Sequence, residues 1–404
     1  MAGISGQGTT YNLPNFVGPL IGVTPDDTPF FSAIGGLTGG RRASAVVHEW
    51  QTYDLRDASA NNVALEGAAA PTAVARVRAR VANVVEIHQS KVDISYSKMA
   101  AIAQAASTAL TLGDNPITDE QRFQIRAELA AMARDIEKSF ISGTYQLPSD
   151  NNTARKTRGI QEATSTNVKS IAGDTVTLAT SADGDDIVDT AAAHGFSAGD
   201  QVQFLTLTGG SSLAVNTTYY VISANLASTT FQISTTKGGS AADFGSNISA
   251  GTVVKLGTLT EAKVLDLLQM VWEAGGLRES ETATVMANAW GKRMLSKIFI
   301  TDKGYQETQR NVGGVNVMTI ETDFGRLNVM LNRYLPVHSI QVVSLEQCAP
   351  VFLEIPQRGF LFLEPLGKTG ASEAAQLYGE VGLEYGNELA HGKITYMASQ
   401  TQAA

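Results

Sequence analysis

The residues that most often carry catalysis or metal binding are dispersed along this chain. Its five histidines show no i, i+4 pair and no HxH pair, so no metal-ligand spacing is present. They are His48, His88, His194, His338 and His391. A Walker lysine motif and a GxGxxG motif are also absent from the sequence. We therefore predict no catalytic residues, no metal and no cofactor, and we expect the protein not to be an enzyme.

Two further features have simple structural interpretations. Asp183, Asp185 and Asp186 form an acidic cluster that lacks the twelve-residue spacing and the final Glu of a calcium-binding loop. We expect a solvated turn there. Cys348 is the only cysteine, so no disulfide can form within the chain, and its apolar surroundings predict a small buried side chain.

The composition limits the class of protein. The chain has 404 residues, of which 43% are hydrophobic and 17% charged, and its formal net charge is −9. This balance argues against a protein that grips nucleic acid through a basic surface. The N-terminus lacks the basic and apolar regions of a signal peptide, and no apolar run reaches the ~20 residues that cross a bilayer. We expect a soluble protein, made in a reducing compartment, with no membrane partner.

The longest predicted element is a helix over Thr118–Gly143. Thr118 and Gln121 have the spacing of a capping box, and Gly143 is a natural stop. An apolar stripe runs along the helix at spacings of three and four. It consists of Ile125, Leu129, Met132, Ile136 and Phe140. At 1.5 Å per residue the helix would be a rod of about 35 Å, on which the rest of the subunit could be arranged.

Two segments before this helix are predicted to need partners. Residues 1–40 hold no Lys or Arg but many apolar side chains, among them Phe30 and Phe31, and their prolines discourage long helices. This arm should lie across its own subunit or a neighbour. Two strand-like segments, Ala45–Trp50 and Val74–Val85, then flank a long tip and predict a hairpin that is barely stable alone.

We expect both segments to contact neighbouring subunits. The arginines of the second hairpin strand fall on one face, where they are either a solvated face or the partners of acidic groups on a neighbour. The predicted inter-subunit contact residues are Arg76, Arg78, Arg80, Phe30 and Phe31.

The composition changes sharply between residues 168 and 257. This part is rich in Thr, Ser, Gly and Asp, and turn signals separate its short alternating strands, which predicts a small all-β sandwich or barrel. The chain on either side contains helices, so we interpret the region as an inserted domain. Beyond it, Thr260–Ala274 and Asn288–Phe299 predict helices within a compact α+β domain.

Several sequence phrases carry a resemblance to a known family. They include TPFFSAIGGLTGG at 28–40, RFQIRAELAAMARDIEKSFISGTYQ at 122–146, TRGIQEA at 157–163 and LLQMVWEAGG at 267–276. These phrases, in this order, resemble the tailed-bacteriophage major capsid proteins of the Hong Kong 97-type fold. More narrowly, they resemble a podovirus-type capsid family first catalogued as a domain of unknown function. The inserted β domain departs from that family's pattern.

The resemblance implies an α+β fold of the Hong Kong 97 type, with an N-terminal arm, an extended (E) loop, a spine helix, a peripheral (P) domain and an axial (A) domain. The implied divisions are an arm over 1–44, an E-loop hairpin and P-domain strand over 45–97, spine helix and P-domain over 98–167, the insert over 168–257, an A-domain over 258–374 and C-terminal P-domain strands over 375–404. Replacing residues 170–257 with a linker should leave assembly intact.

The implied function is self-assembly into the icosahedral shell of a tailed phage. The expected partners are the chain itself, in hexamers and pentamers, with a portal, scaffold or decoration proteins, and packaged double-stranded DNA without sequence-specific contacts. The expected location is the virion, after assembly in the cytoplasm of a bacterial host. An encapsulin-like cargo shell, a phage tail or adhesion protein with a glycan-binding insert, and an enzyme with a distributed site are the alternatives.

Overall fold

A computed structural model describes residues 27–37, 39–53, 55, 58–99, 120–278, 283–301, 308–312, 315–367 and 370–399. The α-helices whose two ends are described are α1 Pro29–Ala33, α2 Glu120–Ser142, α3 Ile160–Ala163, α4 Glu261–Glu273 and α5 Ala289–Ser296, and residues 96–99 are also helical. The strands are β1 Arg41–Ala43, β2 Val47–Tyr53, β3 Arg78–Val84, β4 Glu86–Ser95, β5 Val168–Ser170, β6 Thr175–Thr177, β7 Val188–Asp189, β8 Gln201–Gly209, β9 Thr218–Ile222, β10 Thr230–Ser234, β11 Ile248–Lys255, β12 Ala283–Ala287, β13 Thr308–Val312, β14 Val315–Thr322, β15 Gly325–Leu331, β16 Ile340–Ser344, β17 Ala349–Leu353, β18 Leu361–Pro365, β19 Ser372–Glu384 and β20 Gly392–Thr395. Residues 1–26 and the predicted cap Thr118 lie outside the described residues.

The first core lies between a five-stranded sheet and the spine helix α2. In the sheet, β19 pairs with β17 and β18 along one side and with β4 along the other. β1 extends the β17 edge as a parallel strand. Helix α2 packs on β4, and its buried apolar side chains close the core. These are Met132, Ile136, Phe140 and Ile141.

The predicted stripe of α2 is therefore buried along only part of its length. Met132, Ile136 and Phe140 are buried as expected, but Ile125 is half-buried and Leu129 is exposed. Sequence periodicity identifies the face of a helix that can be buried, but it does not say how far the covering sheet extends. Among the described residues, the first three turns of α2 have no buried side chain.

A second core lies under a seven-stranded sheet of order β13-β14-β15-β12-β16-β20-β5. Helix α4 covers it with Leu267, Leu268 and Val271. A Cβ atom at Gly392 in β20 would lie 2.5 Å from Cγ2 of Val271, so glycine permits the close approach of helix and strand. The predicted cap of α5 is confirmed, because Asn288 accepts a hydrogen bond from the Gly291 N–H at 2.8 Å.

The third core belongs to a six-stranded sheet of order β6-β11-β8-β9-β10-β7. This sheet closes on itself between β6 and β7: Leu178 bridges Thr190, and the Ala179 N–H donates to the Asp189 carbonyl at 2.8 Å. Of the two forms that the sequence left open, sandwich and barrel, the structure shows a closed barrel. Closure leaves these strands without long free edges.

The sheets divide the chain at positions that differ from those expected. Residues 168–170 form β5, which pairs in parallel with β20, so the barrel strands begin at Thr175 rather than at 168. Strands β17 and β18, expected in the A-domain, lie in the five-stranded sheet with β19. Conversely, β20 lies in the seven-stranded sheet although we expected P-domain strands over 375–404. Local sequence patterns predict strands but do not say which distant strand each one pairs with.

Candidate functional site

The base of the β2–β3 hairpin is fixed to the body by buried polar contacts. Asn83 is fully buried, and its amide Nδ2 donates to the carbonyl oxygens of Leu383 at 2.7 Å and Arg158 at 3.1 Å. Its Oδ1 accepts from the backbone N–H groups of Val84 and Arg158. A single side chain thus satisfies groups from three segments, which is the arrangement that a buried amide requires.

Aromatic contacts complete this hairpin root, which we define as Val47–Trp50 with Val81–Val84. The Trp50 indole N–H donates to the Gly386 carbonyl at 2.7 Å, and its ring meets Tyr385 edge-on at 4.9 Å between centroids. His48 stacks beside Trp50 and its Nε2 lies 3.3 Å from the Leu383 carbonyl. Burial lowers the pKa of His48, so the ring is held neutral at physiological pH.

Beyond the root, no described residue of the hairpin is buried. All residues from 58 to 80 are exposed, and β2 and β3 separate after the Tyr53–Arg78 pair. We call the described part of 53–77 the hairpin tip. Its apolar side chains are among the most exposed in the described chain. They are Tyr53, Leu55, Val63, Leu65, Val74 and Val77, with Leu65 86% and Val77 85% accessible.

The predicted arginine row lies where the tip meets the root. Arg78 and Arg80 are in β3 on the exposed face, and Arg76 lies just before the strand. The Arg80 guanidinium is 3.5 Å from the Glu49 carboxylate on the paired strand. Both side chains are largely exposed, so this ion pair contributes little to stability. The expected strand over 74–85 begins only at Arg78.

Phe30 and Phe31 do not lie where a neighbouring subunit could reach them. Both are buried in the first core, and Phe31 contacts Phe140 of α2 edge-on at 5.7 Å. Their designation as inter-subunit contacts is therefore corrected. An apolar pair near a turn can be buried by its own chain or by another, and the sequence pattern is the same in both cases.

The buried carboxylate of Glu137 holds this pair in place. It accepts hydrogen bonds from the Phe30 N–H at 3.0 Å, the Phe31 N–H at 2.6 Å and the Asn332 amide at 2.5 Å. Burial raises the pKa of Glu137, and these donors act in the opposite direction. Sequence analysis missed this residue, although its place beside Ile136 and one turn before Ile141 puts it on the buried face of α2.

The histidines and acidic groups do not assemble into a catalytic site in the described residues. His194, His338 and His391 contact backbone carbonyls on different parts of the molecule. The carboxylates of Asp183, Asp186 and Asp243 lie within 4.8 Å of one another on the barrel, a grouping of acidic side chains that does not by itself define a metal site. Burial raises the pKa of the Cys348 thiol, so it stays protonated and unreactive.

One motif that sequence analysis overlooked is GFSAG at 195–199, which has the GxSxG spacing of a serine-hydrolase nucleophile turn. That function requires a strand, a sharp turn and a helix. Here Ser197 lies in a barrel loop that leads into β8, and its N–H donates to Asp200 at 2.7 Å. His194, the nearest candidate base in sequence, accepts from the Phe196 N–H through Nδ1 and faces the Thr230 carbonyl through Nε2. The motif therefore lacks the required context.

In the part of the chain that the structure describes, no helix combines the length and apolar character needed to span a membrane.

Comparison with solved structures identifies the fold. The chain is similar to the cyanophage A-1(L) capsid protein, with a TM-score of 0.50 and 10% identity over 97% of this chain and 99% of that one. The capsid of an empty GTA particle matches with a TM-score of 0.49 and 13% identity over 95% of each chain. The SrpI encapsulin of Synechococcus elongatus PCC 7942 matches with a TM-score of 0.49 and 10% identity, over 97% of this chain and 95% of that one. The expected α+β fold of the Hong Kong 97 type is confirmed.

The sequence then identifies the family. Residues 3–398 match the model of the SU10 major capsid protein, and no curated protein matches. The chain belongs to the SU10 major capsid protein family. It is a major capsid protein of a tailed phage and a structural part of the virion, as the resemblance predicted.

Proposed function

We propose that this capsid protein builds an icosahedral shell around double-stranded DNA, and that the hairpin tip of each subunit docks on a neighbour. The observation that carries the proposal is the contrast within one hairpin between a root that is hydrogen-bonded to the body and an apolar tip that is fully exposed. An isolated two-stranded hairpin is marginal in water, and contiguous exposed apolar surface marks an interaction site. Contact with another subunit would cover that surface.

The arginine row extends this interface. Arg76, Arg78 and Arg80 occupy alternate positions of the chain where the exposed tip begins. The Arg80 side chain remains 75% accessible although it pairs with Glu49. Guanidinium groups in such a position can form bidentate hydrogen bonds with carboxylates of a neighbouring subunit. The apolar tip would supply affinity, and the arginines would set its register.

The remaining partners follow from the shell. Subunits would form hexamers and pentamers, a portal would occupy one vertex, and scaffold or decoration proteins could act on the assembling shell in the host cytoplasm. A net charge of −9 fits a shell whose inner wall does not grip the packaged DNA. The chemistry of this role is assembly, and it requires no catalytic residue.

The barrel would face outward as a domain inserted into the capsid fold. Its support is the proximity of its two ends: the Gly173 N–H donates to the Lys255 carbonyl at 2.9 Å, so the chain leaves the body and returns at adjacent points. Such a unit can protrude without interrupting the sheets. Because β5 belongs to the seven-stranded sheet, the replacement that should leave assembly intact is 174–255 rather than 170–257. Loss of all particles in that variant would contradict the proposal.

The hairpin proposal is tested by making the tip polar. We expect the combined change Val63→Ser, Leu65→Ser, Val74→Ser and Val77→Ser to leave a folded subunit that forms no shells in electron microscopy and sedimentation. Val77→Ser alone has a matched control in Val215→Ser, another exposed valine, on the barrel. The control should assemble normally. Normal shells from the fourfold variant would overturn the docking role, and particles without nuclease-protected DNA during infection would overturn the genome shell.

A further inference from the structure

The barrel is joined to the body at a polar seam. In β8, Val202 and Phe204 face the barrel core, yet the alternate residues Gln201 and Gln203 are also buried. Both faces of the strand are covered because the outer one lies against the body. The three hydrophobic cores remain separate, so the barrel has its own core and meets the body through hydrogen bonds. Polar interfaces of this kind are typical of docked domains that can move.

The last described residues of the chain run along this seam. The Gly257 N–H donates to the Tyr396 carbonyl at 2.9 Å, and the Ala398 N–H donates to the Gly257 carbonyl at 2.7 Å. The Ser399 N–H donates to Oε1 of Gln201 in β8 at 2.6 Å. From the body side, the Trp290 indole N–H of α5 donates to the Ala398 carbonyl at 3.1 Å. Residues 396–399 thus bind the barrel exit, a barrel strand and a body helix at once.

A histidine completes the seam. Nδ1 of His338 lies 2.7 Å from the Met397 carbonyl, and its Nε2 lies 2.5 Å from the Thr218 hydroxyl in β9. A carbonyl only accepts, so Nδ1 carries the proton and the neutral ring accepts at Nε2 from Thr218. The Thr218 oxygen in turn accepts from the Gln203 amide at 3.1 Å. These hydrogen bonds thus link Met397 through His338 of the body to Thr218 in β9 and Gln203 in β8.

We propose that residues 396–399 form a clasp that fixes the orientation of the barrel on the capsid subunit, and that loosening the clasp frees the barrel without unfolding it. The two covalent crossings at 171–174 and 256–257 lie side by side and would act as a hinge. The contact of Ser399 with Gln201 lies beside that hinge, because the Gln201 carbonyl accepts from the Leu256 N–H at 2.8 Å. The contact of His338 with Thr218 lies one strand further into the barrel, on β9. Both contacts oppose rotation of the barrel about the hinge, and residues 396–399 hold both contacts in place.

Two shortened chains that differ only at their C-termini test the clasp. A chain that ends at Met397 loses the Ala398 and Ser399 contacts, whereas a chain that ends at Ser399 keeps every contact described here. We expect amide hydrogen exchange at Gly257 to be roughly tenfold faster or more in the shorter chain, because the hydrogen bonds that Ala398 and Ser399 make around Gly257 are lost. Exchange at Val221 and Ile233, inside the barrel, should not change.

A matched pair of point variants isolates the barrel side of the clasp. Gln201→Ala removes the acceptor of the Ser399 N–H, and Gln232→Ala removes an equally buried glutamine that contacts the Asp185 carbonyl away from the seam. Only Gln201→Ala should accelerate exchange at Gly257, by a few-fold. Unchanged Gly257 exchange in the Met397-terminated chain would overturn the clasp. Equal acceleration at Val221 and Ile233 would also overturn it, because barrel and body would then open together. Neither readout depends on shell assembly.

Discussion

The Phe30–Phe31 pair and the hairpin tip are both apolar segments beside turns, but the chain buries the first and leaves the second exposed. The difference lies in the backbone hydrogen bonds. The backbone N–H groups of Phe30 and Phe31 donate to the Glu137 carboxylate inside the body, so burial of the pair leaves neither N–H group unsatisfied. The tip past Tyr53 has no such partner, and its two strands separate. An apolar segment is covered by its own chain where its polar backbone can also be satisfied.

The strongest way to break this comparison is to remove the anchor of the hairpin root. Asn83→Ala eliminates four hydrogen bonds and leaves the Leu383 and Arg158 carbonyls without that donor, so we expect a loss of roughly 3 kcal/mol or more in the free energy of unfolding. Denaturant unfolding of the unassembled subunit measures it. Asn61→Ala, at an exposed position in the tip, is the matched control and should change stability by less than about 0.5 kcal/mol. Equal effects would mean that root and tip form one ordered unit.

A smaller effect is expected at the carboxylate that buries Phe30 and Phe31. Glu137→Gln places an amide N–H where the Phe31 N–H needs an acceptor, and we expect a loss of about 1–2 kcal/mol at pH 7. Ser32→Ala, at an exposed position in α1, is the control. A variant as stable as the native chain would show that packing alone holds the pair.

The same variant carries a test of pH dependence. Because burial makes the pKa of Glu137 higher in the folded chain than in the unfolded one, the folded state binds the proton more tightly. The stability that this carboxyl contributes is fully present below the unfolded pKa and is lost as pH rises through the folded pKa. The difference in unfolding free energy between native chain and Glu137→Gln should therefore be larger at pH 5 than at pH 7.5. The reverse trend would mean that the three donors outweigh burial.

The sequence predicted elements better than their pairing. The helix expected over Thr260–Ala274 is α4, and the Asn288 cap is confirmed, since both depend on contacts within a few residues. The pairing of β5 with β20 links residues more than two hundred positions apart, and no local pattern contains it. Glu137 was missed for a related reason. A charged residue is not expected on the buried face of a helix unless it has hydrogen-bond partners there, and its donors Phe30, Phe31 and Asn332 are distant in sequence.

The arginine row sharpens the comparison from the exposed side, where stability should hardly change. The triple variant Arg76→Glu, Arg78→Glu and Arg80→Glu removes only the solvated contact with Glu49, so the unfolding free energy of the subunit should shift by less than about 0.5 kcal/mol. Shell formation should nevertheless fall sharply, because reversed charges would face the carboxylates that we propose on a neighbour. Arg78→Glu and Lys237→Glu each reverse one exposed charge, on the hairpin and on the barrel respectively, and only the first should slow assembly.

Salt dependence separates a specific ion pair from a general charge effect. At 0.15 M salt the screening length is about 8 Å, so assembly that uses exposed pairs should weaken as salt rises, whereas pairs buried on docking should be less sensitive. Light scattering of assembling subunits across a salt series measures this for the native chain and the triple variant. Equal assembly of the two at every salt concentration would show that the arginines are only a solvated face, and the apolar tip would then carry the contact alone.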